Sequence, residues 1–554
     1  MASNSNNVNG SAISATNLST TDDPSSVHLL KLLEQGFNSN TNKSLLLLID
    51  FRTALTAVTQ TQLRTFVRNV SLQPLFACLK ISTMSTCCSS STTTSSSSKA
   101  RSTSYSETDR EKHSVIGAIL SKIFDCMEAD VILNQFREEL LLCLDHSNES
   151  IQLVCLKQVK RIADDIKCQS EVEALCNDVG LLTSIITRIG DDCLLVAQEA
   201  SFTLDAICSN HIMAVHFIFS GSLLGHIGRV ASKGDIVKYR FFELATKVAT
   251  YSSESMMVIG NCGLLQDLIL DLNTDDELIQ MNSIEMLSNL VCSKHGLLYM
   301  NQQGVLSTIE NMLIASEVKP ILLPSLFRFF ITICKAESSQ VSLLPNCFLK
   351  LSLDLLGSHD MSLVANAVDA VNVVGLSVEG KEALLKQGLL MNEGLTQMGL
   401  IIQRPPVEVR IRSLMALANL FSLRDDEQTS GMLSILEQWF MKISNNSLQT
   451  ILAICQQPFP ELKCAALSVL KALANQEWAQ RLMNQHCGFH EYLLDRKTEH
   501  EQTGKHAKYD VIKVLAKSST SAHTFGRPFV LKMMEYVKEG PLYKIVQSKV
   551  ALQD

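Results

Sequence analysis

Six glycines, each leading into a pair of apolar residues, stand at nearly equal intervals along this chain. They are Gly180, Gly221, Gly263, Gly304, Gly388 and Gly431, separated by 41, 42, 41, 84 and 43 residues. The long interval is twice its neighbours and predicts a further turn near 346, where Asn346 stands. Asparagine is the residue after glycine most at ease in the left-handed region, so Asn346 is expected to turn the chain as the glycines do. Gly488 and Gly526 continue the series, with one insertion before Pro458.

Helices fill the space between the turns. In "QQPFPELKCAALSVLKALANQEWAQRLMNQHCGF" Pro460 suits a first helical position, and Leu462, Ala465, Ala466, Val469, Leu470 and Leu473 fall on one stripe. A second helix is expected from about Trp478 to Gln485, closed at Gly488 by a positive φ. The segments "IQMNSIEMLSNLV" and "EVRIRSLMALANLF" repeat the pattern, with Asn289, Asn419 and Asn475 at matching places. A helical period of roughly 40 to 47 residues marks armadillo or HEAT repeats, whose helices cannot bury their faces alone and so stack. The chain has 554 residues, 46% of them hydrophobic, and no sustained alternation that strands would require.

The expected fold is an all-α, armadillo/HEAT-like right-handed superhelical solenoid with a repeat of about 42 residues. Its expected divisions are a polar tail over 1–26, N-terminal helical repeats over 27–147 with a Ser/Thr-rich insertion at 82–106, the main solenoid over 148–545, and a C-terminal tail over 546–554.

Composition narrows the function. A net charge of −8 argues against a nucleic-acid binder, and no apolar run reaches the roughly 18 residues of a membrane span. The first residues lack both the basic start and the apolar core of a secretory signal. None of the 17 cysteines forms a C-x-x-C pair, and Cys155, Cys208, Cys292 and Cys464 are expected as small hydrophobes in the core. His486, Cys487 and His490 are the one cluster of metal-like types, without a fourth ligand at zinc spacing, so no metal and no cofactor is expected. Trp439 and Trp478 fall on apolar stripes and belong to the core.

"GLSVEGKE", Gly375 to Glu382, matches the G-x-x-x-x-G-K of a phosphate-binding loop but puts a carboxylate where a magnesium-holding hydroxyl belongs. A helix precedes it instead of a strand, so it is read as a loop between repeats in which Lys381 is dispensable. No nucleophile elbow, zincin or dinucleotide motif occurs, and no enzyme activity is expected.

A rod without catalytic groups offers a long surface. In armadillo repeats the third helix lines the concave side. Carrying the register along gives Lys157/Arg161, Phe202/Ala206, Glu243/Lys247, Glu285/Asn289, Arg328/Thr332, Val371/Gly375, Met415/Asn419 and Lys471/Asn475 as groove pairs. The partner-binding candidates taken from them are Glu243, Lys247, Glu285, Asn289, Arg328, Thr332, Met415 and Asn419. No tryptophan stands in this ladder, which favours a folded partner over an extended basic peptide.

Beyond the repeat, "QPFPELKCAAL", "ANQEWAQ", "HEYLLDRKTEHEQTGKHAKYDVIKVLAKS", "IVKYRFFELATKVATYSSES" and "PVEVRIRSLMALANLF" closely resemble the family of the 26S proteasome non-ATPase regulatory subunit 5, over roughly residues 130 to 545. The resemblance implies an assembly chaperone for the base of the proteasome regulatory particle. Such a chaperone binds the C-terminal domain of a base ATPase, expected to be regulatory subunit 7, alongside further base subunits in an assembly intermediate, and leaves before the 26S particle matures. It implies a cytoplasmic and also nuclear protein, a monomer on its own, with no nucleic-acid or membrane partner. The competing reading is a general armadillo-repeat adaptor or cargo carrier.

Overall fold

The stretch around Pro460 folds as its spacing predicts. Pro460 opens a helix that runs to Leu473, and Leu462, Ala465, Ala466, Val469, Leu470 and Leu473 are all buried on it. A shorter helix, Glu477–Gln485, follows, and Gly488 turns the chain in the left-handed region at φ 80° before the helix Phe489–Leu494. The computed structural model describes residues 24–35, 41–84, 107–165, 169–314, 319–336 and 342–542, and no strand occurs among them. The expected tails at 1–26 and 546–554 and the Ser/Thr-rich insertion lie mostly or wholly outside the described residues.

Short first, middle second and long third helices recur. The chain divides into two units, Met1–Leu265 and Gln266–Asp554. In the first unit the long helices are α1 (Thr41–Ala57), α2 (Glu107–Phe124), α3 (Glu149–Asp165), α4 (Leu194–Asn210) and α5 (Asp235–Ala249). In the second they are α6 (Glu277–Leu290), α7 (Leu323–Ala336), α8 (Met361–Val374), α9 (Val407–Phe421), α10 (Pro460–Leu473) and α11 (Gln502–Lys517). Within each unit every long helix packs against the next, α1 to α5 and α6 to α11, which makes each unit a stack of helical repeats. The expected insertion before Pro458 is one extra helix, Ser447–Cys455, placed between Ser430–Ile443 and α10. Aromatic side chains fill the second unit: Phe348 lies 5.2 Å and 5.1 Å from Phe327 and Phe330, and Phe440 joins Phe421 to Trp478 at 5.6 Å on each side. Trp439 and Trp478 are both buried, as expected.

The evenly spaced turns are built in two ways. Gly221, Gly263, Gly304, Gly388, Gly488 and Gly526 have positive φ, as the spacing predicts. Gly180 and Gly431 lie inside the first turn of their helices instead. There Asp178 accepts from the Leu181 N–H at 3.0 Å, and Thr429 accepts from that of Met432 at 3.2 Å. A side-chain cap thus does what left-handed backbone does elsewhere. Asn346 departs from its expectation: it is the first residue of helix Asn346–Leu355, and the extended Pro345 before it, φ −64° and ψ 141°, turns the chain.

A polar position, buried at Gln152 and Arg410 and half-buried at Gln280, recurs that periodicity does not show. The fourth residue of a long helix donates to carbonyls ending the helix before it: Gln152 to His146 at 2.6 Å, Gln280 to Leu272 and Thr274 at 3.0 and 2.8 Å, and Arg410 to Ile402 at 2.7 Å. Helix ends carry carbonyls without intrahelical partners, and these side chains satisfy them where water is excluded. Of the cysteines, Cys155 and Cys208 are buried as expected, whereas Cys292 is exposed and Cys464 half-buried. Cys292 follows the last turn of α6, beyond the stripe that faces the core.

Candidate partner-binding face

The outward face of the long helices is not a row of free charges. In the first unit Lys247 of α5 donates to Asp205 of α4 at 2.6 Å, and the Tyr251 hydroxyl donates to the same carboxylate. Burial, together with this bond, raises the Tyr251 phenol above its ordinary range. Lys160 of α3 lies over the ring of Phe202 of α4, 5.4 Å from its centroid. Asn210 of α4 donates to Asp164 of α3 at 3.0 Å. Glu243 is exposed.

The second unit repeats the arrangement. Arg328 of α7 meets Glu285 of α6 at 3.1 Å, and Arg412 of α9 meets Asp369 of α8 at 3.3 Å. Lys471 of α10 meets Asp510 of α11 at 2.7 Å. Burial raises the Asp369 carboxyl, against the opposing pull of Arg412. Asn419 of α9 donates to the Asn372 side chain of α8 at 2.6 Å, and Thr332 bonds back to the Arg328 carbonyl of its own helix. Asn289 and Met415 are exposed. Each basic group therefore sits one repeat away from an acid on the neighbouring long helix. Exposed pairs of this kind contribute about 0.2–1 kcal/mol each, so they fix how helices stack more than they stabilise the fold.

Of the residues proposed for this face, Glu243, Lys247, Glu285, Asn289, Arg328, Thr332, Met415 and Asn419 all lie on the solvent side of their helices or at its margin. Glu243 and Lys247 belong to the first unit and the other six to the second. Three of the other pairs need correction. Val371 and Gly375 are buried, and the face of α8 is carried by Asp369 and Asn372. One residue of slip turns a helical position by about 100°, enough to move it from surface to core. Ala206 is also buried, and Arg161 reaches sideways to cap α2 through the Phe124 carbonyl at 2.8 Å.

The glycine-lysine motif is not a loop. Val378–Leu385 is a helix capped by Ser377, and Gly380 sits where a Cβ would stand 1.8 Å from the Val374 carbonyl oxygen. Ser293 and Gly296 show the same close approach two repeats earlier in the sequence, with the Leu290 carbonyl 2.2 Å from a Cβ on Gly296. Lys381, expected to be dispensable, is buried and donates to the Gly375 carbonyl at 2.7 Å. Both the second glycine and the lysine are thus accounted for by helix packing. His486 pairs with Gln449, while His490 bonds Asn484 at 3.0 Å and stacks on Phe529, so the two imidazoles engage different partners.

Comparison with known proteins adds what geometry does not supply. The family described as "Proteasome non-ATPase 26S subunit" matches residues 39–554, beginning well before residue 130, where the sequence motifs fade. The 26S proteasome non-ATPase regulatory subunit 5 of Homo sapiens and that of Bos taurus are each 34% identical to this chain over 452 residues, covering 81% of it and 89% of theirs. The Mus musculus protein of the same name is 33% identical over 442 residues, covering 79% of this chain and 87% of its own. An engineered protein of known structure aligns with 73% of this chain and 99% of its own at 16% identity and a TM-score of 0.42. At that score the fold assignment rests on this chain's own helices.

Proposed function

This chain belongs to the family of the 26S proteasome non-ATPase regulatory subunit 5, and from that membership we propose that it is a non-catalytic assembly chaperone for the base of the proteasome regulatory particle. It binds the C-terminal domain of a base ATPase, regulatory subunit 7 being the first to test, and leaves before the mature particle forms. It works in the cytoplasm and the nucleus. The observation that carries the reading is the family relationship across about four fifths of the chain, with relatives named as non-ATPase subunits. The fold supports it in kind: stacked repeats present long helical faces suited to a protein partner.

The test is calorimetric titration of the full chain with the isolated C-terminal domain of each base ATPase. Saturable 1:1 binding to one of them, with the others weaker, is the expected result. Binding to none of them, together with binding to import cargo or another non-proteasomal protein, would favour the adaptor reading.

A further inference from the structure

If the charged rungs are already paired with one another, affinity for a partner has to come from surface that the fold leaves apolar. Such surface recurs in the second unit at one place in the repeat. Leu278, Ile321, Met361, Val407 and Phe459 stand at, or within two residues of, the starts of α6, α7, α8, α9 and α10, each between 38% and 56% exposed. Single exposed apolar side chains are ordinary, but five within two residues of the starts of consecutively packed helices form a line along that end of the stack. Side-chain contacts hold that line together at its two ends. Lys319 reaches Glu277 at 3.6 Å and so brings the segment of Ile321 beside Leu278, while Arg410 donates to Gln457 at 2.9 Å and joins the start of α9 to that of α10. Between them α7 packs on α8 and α8 on α9. The same position in the first unit carries Leu195 and Ile236, also exposed.

The border of the line is acidic. Asp276 lies beside Leu278, Asp360 beside Met361, Glu408 beside Val407, and Glu461 two residues from Phe459, all exposed. Against them stand Arg404 and Lys319, the latter already paired with Glu277. An apolar strip with a negative rim attracts an apolar patch with a positive one, because buried aliphatic surface supplies the affinity and rim charge supplies orientation and rate.

We propose that the ridge from Leu278 to Phe459 is a docking edge for a partner protein whose contact surface is apolar and bordered by lysine or arginine. The proposal rests on the chaperone reading above and names the surface through which that chaperone grips its client. Charged rungs then set the spacing of the long helices, and the ridge beside them does the holding.

The test compares three folded forms of the full chain by titration with the C-terminal domains of the base ATPases, at low and at high salt. They are the wild type, a ridge variant (Leu278→Ser, Ile321→Ser, Met361→Ser, Val407→Ser), and a control variant that loses exposed apolar groups elsewhere in the same unit (Leu298→Ser, Leu389→Ser). All the altered side chains are exposed, so circular dichroism and melting should match the wild type. The ridge variant should bind at least tenfold more weakly, the control within twofold of wild type, and wild-type affinity should fall as salt rises. Tight wild-type binding that the ridge variant retains would overturn the ridge alone, and salt-independent affinity would overturn its basic counterpart. Failure of the wild type to bind any domain would remove the chaperone reading and the ridge with it.

Discussion

Lys381 and Gln480 occupy the same place in two different repeats. Each is the fourth residue of a first helix and donates to the carbonyl six residues back, Lys381 to Gly375 at 2.7 Å and Gln480 to Ala474 at 2.9 Å. Both side chains are buried, so each satisfies the end of a long helix that water cannot reach.

Lys381→Ala should therefore destabilise the protein by about 1–3 kcal/mol, the usual cost of leaving a buried acceptor without its donor. Lys381→Gln, which imitates the other repeat, should cost less than half as much. Urea unfolding of both variants checks this, and a neutral Lys381→Ala would show the buried lysine to be dispensable to the fold.

The same lysine has a pH signature. Burial pushes its amine down to about 8, whereas in the unfolded chain it titrates near 10.4. Between those values the unfolded chain holds more protons, so the lysine's burial is penalised less and less as pH rises from 8 toward 10.4. Below pH 8 both states are protonated and the penalty is constant. Wild-type stability measured relative to Lys381→Gln should thus improve over that window and stay level below it, the difference cancelling what other groups contribute.

Two glycines with one spacing should behave oppositely. Gly388 has φ 60°, so alanine there is strained even though nothing stands within 4 Å of its Cβ, and a loss of about 1–2 kcal/mol is expected. Gly431 sits in the first turn of a helix with equally open space and no positive φ, and Gly431→Ala should be neutral or stabilise by up to about 1 kcal/mol. Melting temperatures of the two single variants separate the two kinds of turn.

These contrasts mark what the amino-acid order can and cannot convey. The stripe of Leu462, Ala466, Val469 and Leu473 was legible because burial on one helix face imposes a period of its own. The turn glycines were legible as a period but not as a conformation, since Asp178 and Thr429 cap two of the turns and Pro345 makes a third. The face of α8 was misread by one residue, because register was carried across connections of unequal length and one residue decides between Val371 and Asn372. Lys381 was opaque for a different reason. A long side chain folded back onto a carbonyl buries its charge without any pattern along the sequence, and Arg410 and Gln280 escaped notice in the same way.

The rungs should prove weak individually. A double-mutant cycle on Lys247→Ala and Asp205→Ala should give a coupling of about 1 kcal/mol or less, since Lys247 is half-exposed, and the same holds for Arg328 and Glu285. Reversing both Lys247 and Arg328 to glutamate should then leave the fold intact. A coupling of several kcal/mol would mean that the pairs themselves hold the long helices together.

Which proteins travel with this chain, and in what state of assembly, decides whether it is a chaperone of the regulatory-particle base. Affinity purification of the full-length protein from cells, with quantitative mass spectrometry of what it carries, measures that directly. A chaperone of the regulatory-particle base should bring down base ATPases in near-equal amount and the 20S core at background. Recovery of the 20S core in proportion to the ATPases would contradict departure before maturation, and recovery without any base ATPase would contradict the chaperone reading itself.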